Sequence, residues 1–269
     1  MQTVWNRINT ALLVLVLLLL AGALVKGVYG GPMDPPAPPG PTLPQVEPRI
    51  PVSQPAPGGF PIVISQPGSY FLTQPILGEA GKDGIQITTS AVTLDLNGFT
   101  VGGVPGSLKG VHVTCSAACY LIEIHGGNVA LWGGDGIDMG LAAGGEIADL
   151  YVAGNAGNGV LMSHGWVMNS RVQGNGGSGI VGVDLFMQGN NSSGNGGDGI
   201  SLSDSNGVIT DNYTVYNGGD GISVSATGVL VVNNVAAFNS GSNYNIVPGN
   251  EVGPIGLADT SMSPWANLQ

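Results

Sequence analysis

The chain has 269 residues, of which 47 are Gly and only 9% are charged, and its formal net charge is −11. Gly at that frequency without a Gly-X-Y period excludes a collagen triple helix, and a mean hydropathy of +0.27 excludes a disordered chain, which leaves a fold of many tight turns around one continuous apolar core. Six cations against seventeen acids cannot neutralise a run of phosphates, so nucleic acid is excluded as a partner, and anionic polysaccharide is disfavoured unless a cation bridges it.

Residues 1–30 carry one early cation, Arg7, then an apolar run from Ala11 to Val25 that Lys26 ends, then Gly27 and Gly30. A short basic region, an apolar stretch and small residues have the layout of a secretory signal peptide. The run is shorter than the roughly 20 residues of a spanning helix. Continued to Tyr29, with Lys26 reaching back to the interface, it also suits an uncleaved N-terminal membrane anchor, and no clear Ala-x-Ala cleavage site decides between the two. Either reading puts the remainder outside the cell or at its surface, touching membrane only through this segment. Loss of Arg7 and Lys26 with the segment takes the charge from −11 to −13. Residues 31–59 are a Pro-rich linker, with Pro35-Pro36, Pro38-Pro39, Pro41, Pro44, Pro48, Pro51 and Pro55 among its prolines. Pro fixes φ and lacks an N–H, so this stretch is expected as an extended stalk.

Over residues 60–250 a Gly followed by alternating apolar residues recurs: Gly84-Ile85-Gln86-Ile87, Gly110-Val111-His112-Val113, Gly136-Ile137-Asp138-Met139, Gly159-Val160, Gly179-Ile180, Gly199-Ile200 and Gly221-Ile222. The spacings are 26, 26, 23, 20, 20 and 22 residues, the stepwise period of a solenoid. Between them lie alternating segments such as Val92-Thr93-Leu94-Asp95-Leu96, which predict strands and not helices. About eight coils of three short strands are expected, closed by residues 251–269 as a C-terminal capping tail in which Trp265 covers the last coil. Asn155, Asn175, Asn195 and Asn217 each precede a coil-leading Gly by four residues, and Asn239 continues the series with Asn243 in place of Gly. Five residues before members of that column stand Asn190, Asn212 and Asn234, with Ser170 and Leu150 in earlier coils. Stacked turns put equivalent residues about 4.8 Å apart, so these columns are read as structural amide ladders.

The turn Asn217-Gly218-Gly219-Asp220-Gly221-Ile222, the opening Ile64-Ser65-Gln66-Pro67-Gly68-Ser69-Tyr70-Phe71-Leu72 and the segment Val92 to Phe99 resemble the right-handed parallel β-helix repeat proteins of the pectin-lyase-like superfamily. The resemblance covers about three quarters of the chain. It implies an all-β, right-handed, single-stranded parallel β-helix and an exported bacterial protein of secreted or surface type. Enzymes of that superfamily mostly cut polysaccharides, using Asn-Thr-Asp, Asp-Asp, Gly-His-Gly and Arg-Ile-Lys motifs or calcium held by acids beside a basic residue. None of the four motifs is present. Ser163-His164-Gly165 comes nearest, with no Asp pair beside it in the sequence. No catalytic residue is therefore assigned, and the reading leans away from an enzyme.

The remaining candidates are few. Cys115 and Cys119 are read first as a disulfide across a small loop; free thiols, or a metal site shared with His112 and His125, are the other readings. Asp198 and Asp220 fall in equivalent turns of adjacent coils and, with turn carbonyls, are the candidate ligands for Ca²⁺, the one cofactor considered; solvated turn acids are the alternative. An outward column of Tyr151, Arg171, Asn191 and Tyr213 suits sugar rings by stacking and hydrogen bonding, against the alternative that such side chains simply stack on one another. Tyr216 and Phe238 form a smaller outward pair, and Trp132 and Trp166 are read as turn cover or as contacts. The expected function is a non-enzymatic surface protein binding polysaccharide or other cell-surface material. A degenerate polysaccharide lyase, hydrolase or epimerase and a purely structural spacer are the alternatives. Nothing in the pattern sets an oligomeric state.

Overall fold

The computed structural model describes residues 49–257 and 263–269. The segment read as a signal or anchor, and the linker up to Pro48, lie outside them. Among the described residues there are 25 short strands, no helix, and only parallel pairings. The strands stack in three columns, here faces A, B and C, to make a right-handed solenoid of about nine turns.

Face A runs from Ile62–Ile64 through Ile85–Ile87, Val111–Val113 and Ile137–Met139 to Ile222–Val224 and Tyr244–Ile246. The first and last of these strands follow Pro61 and Asn243, which hides them from a search for coil-leading glycines. Face B opens at Ile50–Val52, which pairs with Tyr70 to Leu72, so the regular stack begins inside the stretch whose composition reads as linker. Pro51 is tolerated there because, among the described residues, the strand is paired along one edge only. Face C carries the segments Arg171–Gln173, Asn191–Ser193, Tyr213–Val215 and Val235–Ala237.

Alternation along each short strand sends one set of side chains inward. Ile85, Ile87, Val111, Ile137, Val160 and Ile222 are wholly buried, each contributing roughly 1.5–3 kcal/mol through burial. Two amide ladders run beside this core. Asn155 Nδ2 donates to Asn175 Oδ1 at 2.9 Å, Asn175 to Asn195 at 2.9 Å, Asn195 to Asn217 at 3.0 Å and Asn217 to Asn239 at 2.9 Å. The second ladder joins Asn190 to Asn212 and Asn212 to Asn234, each at 3.0 Å. Each Oδ1 also accepts the backbone N–H of the Asn before it, so the turns are hydrogen-bonded although they are buried.

The coil-leading glycines follow from the first ladder. A Cβ on Gly199 would lie 2.7 Å from Asn217 Nδ2, and one on Gly221 would lie 2.5 Å from Asn239 Nδ2. The ladder amide occupies the space a side chain would need, so the Asn and Gly columns are one device. Trp132 stands where the ladder begins: its backbone N–H donates to Asn155 Oδ1 at 3.0 Å and its buried indole donates to Val101 O at 3.0 Å. It fills the wider early coils from inside, and neither covers a turn nor offers a contact surface.

Cys115 and Cys119 form a disulfide in the loop after Val111–Val113. At the C-terminal end Asn267 takes the next position of the second ladder, accepting from Asn234 Nδ2 at 3.1 Å. Closure of the last coil thus falls to Asn267, whereas Trp265 is 62% exposed. The Tyr244 hydroxyl lies 2.7 Å from Asn234 O and 2.9 Å from Leu268 O, and burial pushes its pKa well up.

Candidate functional site

The connection from face A to face B changes length along the stack, and this shapes the surface. In most coils it is a loop, as over residues 140–144 and 203–207. In the two coils between those loops the strands run on without interruption as Val160–Met168 and Ile180–Gln188. The corner is turned there by His164 and Asp184, at φ 59° and 50°. Two short corners between two loops leave a depression of about 430 Å³, floored by His164, Trp166, Asp184 and Phe186 and walled by Gly144 and Asn206. A second cavity of about 180 Å³ continues it past Ala143 and Trp166 to Tyr120, Glu123 and Glu146.

The floor residues stand in register on face B. Glu123 is opposite Glu146, Glu146 opposite Trp166, Trp166 opposite Phe186 and Phe186 opposite Val208. Trp166 is 48% exposed and forms an aromatic platform at the junction of the two cavities. Glu123 accepts from Thr93 Oγ1 at 3.1 Å. His164 Nε2 lies 3.5 Å from Asp184 Oδ2, while Asp184 Oδ1 is shut off from water with no hydrogen-bond partner. A buried carboxylate oxygen in that state calls for a donor. The site combines apolar ring faces, three carboxylates and an imidazole, and so provides stacking, hydrogen-bond acceptance and acid–base groups.

None of these groove residues is among the candidates selected by residue pattern above, apart from the His164 triplet and Trp166. The acid that does stand beside His164, Asp184, comes from the next coil, twenty residues away in sequence. The spacing that marks the core would have found the platform too: 123 to 146 is 23 residues, and 146 to 166 and 166 to 186 are 20 each, the same steps as the coil-leading glycines.

The column chosen from sequence does assemble on face C. Tyr151, Arg171, Asn191 and Tyr213 are successive partners in register. The Arg171 guanidinium lies 5.7 Å from the Tyr151 ring centre and its Nε donates to Gln173 at 2.9 Å, so the strip is partly satisfied by its own stacking. Asn191 Oδ1 is buried without a partner. Tyr216 and Phe238 stack at 5.3 Å beside it. Asp198 and Asp220 are neighbours, but each Oδ1 accepts a backbone N–H of the following coil, from Asp220 and Ser242, at 2.7 Å. They serve as turn acceptors. Among the described residues no three His, Cys, Asp or Glu come together as metal ligands, and Cys115 and Cys119 are joined to each other.

His112 and Lys109 belong instead to a polar network on face A. His112 Nδ1 lies 2.9 Å from Asp83 Oδ2, which also accepts from Gln86 Nε2 at 2.8 Å. Lys109 pairs with Asp138 and lies 3.8 Å from Asp135. Burial works to raise the Asp83 pKa, but the hydrogen bonds from Gln86, His112 and the Lys109 backbone outweigh it and hold the carboxyl below its ordinary range. Burial would likewise lower Lys109, and the hydrogen bond and charge of Asp138, with Asp135 and Asp83, raise it above its ordinary value. The network ties together the three coils that carry Asp83, Lys109 with His112, and Asp135 with Asp138.

With three parallel columns and the ladders in view, the family assignment rests on a direct match: the family described as right handed beta helix region covers residues 109–252. The chain belongs to that family. No curated protein matches it. Among solved structures it is similar to the A-module of mannuronan C-5 epimerase AlgE6 of Azotobacter vinelandii, at 17% identity and TM-score 0.46 over 71% of this β-helix protein and 66% of the module. It is also similar to a periplasmic alginate epimerase, AlgG, at 16% identity and TM-score 0.45 over 72% and 59% of the two chains. Dettilon tailspike protein gives 14% identity and TM-score 0.48 over 77% and 59%. This β-helix thus spans roughly three fifths to two thirds of the length of those proteins, and the likeness concerns the fold.

Proposed function

We propose that this β-helix is an exported or surface-tethered carbohydrate-binding protein, and that the groove over Trp166 is its sugar site. The observation that carries the reading is the meeting, in one groove, of an exposed Trp166 platform with the partly exposed carboxylate of Asp184. A sugar ring offers C–H faces for stacking on Trp166 and hydroxyl donors for the solvent-facing side of the Asp184 carboxylate. The face C strip of Tyr151, Arg171, Asn191 and Tyr213 serves in this reading as a second, flatter contact. Export is supported by the apolar run from Ala11 to Val25 and by the paired cysteines, which suit an oxidising compartment. A glycan array tests the binding reading. Retention of some oligosaccharide by the wild type and its loss in Trp166→Ala is expected, and no retention of any glycan sinks the reading. Mass measurement of the N-terminus of the exported protein tests the localisation.

A second reading, cleavage or epimerisation of a polysaccharide in the same groove, is favoured by the approach of His164 to Asp184. Its test is the release of reducing ends or of unsaturated uronate from polymer by the purified protein, or, for epimerisation, a change in the polymer's epimer ratio by proton NMR, with His164→Ala as the comparison. Equal release or conversion by the two proteins rejects it.

A further inference from the structure

We propose that the groove selects glycans whose rings carry a free amine, so that its ligand is a polymer or oligomer of amino sugars in the ammonium form. This rests on the groove being a sugar site and names the class of sugar. Glu123 and Glu146 face each other on adjacent coils in strict register, about one strand spacing apart. Like charges directly opposite each other destabilise a sheet, and among the described residues neither has an ion-pair partner. Trp166 is next in register to Glu146, and the partly exposed carboxylate of Asp184 lies one coil further on. No Lys or Arg lines either cavity. Carboxylate, aromatic face and carboxylate thus follow one another along a groove lined by no Lys or Arg, with His164 placed against Asp184. A ring seated on Trp166 puts its neighbours over the glutamate pair on one side and over Asp184 on the other.

An ammonium is the cation that fits. It is bound by one or two carboxylates together with the face of a Trp. A divalent metal needs a convergent set of oxygen ligands, and among the described residues no group of three such side chains is so arranged. Uronate polymers would set carboxylate against Glu123, Glu146 and Asp184.

The test is calorimetric titration of the intact protein at pH 6 and low salt with four probes: a glucosamine pentamer, an N-acetylglucosamine pentamer, a galacturonate pentamer and spermidine. The glucosamine pentamer is expected to bind at least ~10-fold more tightly than each of the others, with an affinity that falls as salt rises. The preference should vanish in the Glu123→Gln, Glu146→Gln double variant, whose melting temperature reports that it has folded. Equal affinity for the free and N-acetylated pentamers overturns the amine selectivity and leaves the sugar groove standing. Spermidine binding as tightly as the glucosamine pentamer shows a site for bare ammonium groups and overturns the glycan assignment. Absence of binding by all four probes overturns this proposal, and the groove reading fails separately only if the glycan array is empty as well.

Discussion

Replacing Asn195 with Ala removes one rung from the middle of the first ladder. Asn195 Oδ1 accepts from the Asn175 backbone N–H at 3.1 Å and from Asn175 Nδ2 at 2.9 Å. Its Nδ2 donates to Asn217 Oδ1 at 3.0 Å and to Val172 O at 3.3 Å. The substitution leaves the buried Asn175 N–H without its acceptor, at about 1–3 kcal/mol, and deletes further bonds worth about 1 kcal/mol each. The cavity left behind adds to this, so the loss should be about 3–5 kcal/mol. Asn195→Asp keeps the acceptor oxygen but turns a carboxylate toward Asn217 Oδ1 and Val172 O, and should cost at least as much. The exposed Ser65→Ala is the control and should stay within about 0.5 kcal/mol of the wild type. Urea denaturation followed by circular dichroism measures all three, with the slope checked because a solenoid can open in parts. An Asn195→Ala protein within about 1 kcal/mol of the wild type would refute the view that the ladder holds the turns together.

Thr214 occupies an inward column with Val152 and Val172, is wholly buried, and its Oγ1 has no hydrogen-bond partner. Thr214→Val should therefore stabilise the protein by about 1 kcal/mol, and a lower urea midpoint would count against it. Stability should also vary with pH in two directions. The carboxyl of Asp83 is held below its ordinary value, so its contribution is present above about pH 4 and is lost as pH falls through the folded-state value. Lys109 and Tyr244 are raised, so their contributions are fully present below about pH 10 and are lost as pH rises through the folded-state values. Thermal melts against pH should show Asp83→Asn flattening the acid arm and Tyr244→Phe flattening the alkaline arm. Parallel acid arms for Asp83→Asn and the wild type would contradict the assignment.

The solenoid was legible because its core repeats. Ile85, Val111, Ile137, Val160, Ile180, Ile200 and Ile222 each follow a glycine whose missing side chain makes room, and from Ile137 onward an amide ladder fills that room. Both members of the pair recur at a fixed offset, so either one reveals the other. The strand Ile50–Val52 was hidden because Pro51 gives it the composition of a linker, although an edge position tolerates proline. Trp132 was hidden by standing in the ladder column as a large apolar residue, legible only once the wider early coils are seen to need filling. The groove was not legible because it consists of absent chain. It exists where the corner shrinks to His164 and Asp184 between two longer loops, and loop lengths carry no motif. A stacked fold pairs residues one coil apart, as with Glu123 and Glu146 or His164 and Asp184, so groups that meet in space form no contiguous motif in the sequence.

The most direct test of the sugar groove compares the wild type with Trp166→Ala and Tyr151→Ala in calorimetric titrations against the tightest oligosaccharide found on an array. Loss of the exposed indole should weaken binding at least ~10-fold, while loss of the face C tyrosine should change it by less than about threefold. Unchanged affinity in Trp166→Ala, or a loss confined to Tyr151→Ala, would place the sugar elsewhere and contradict the account.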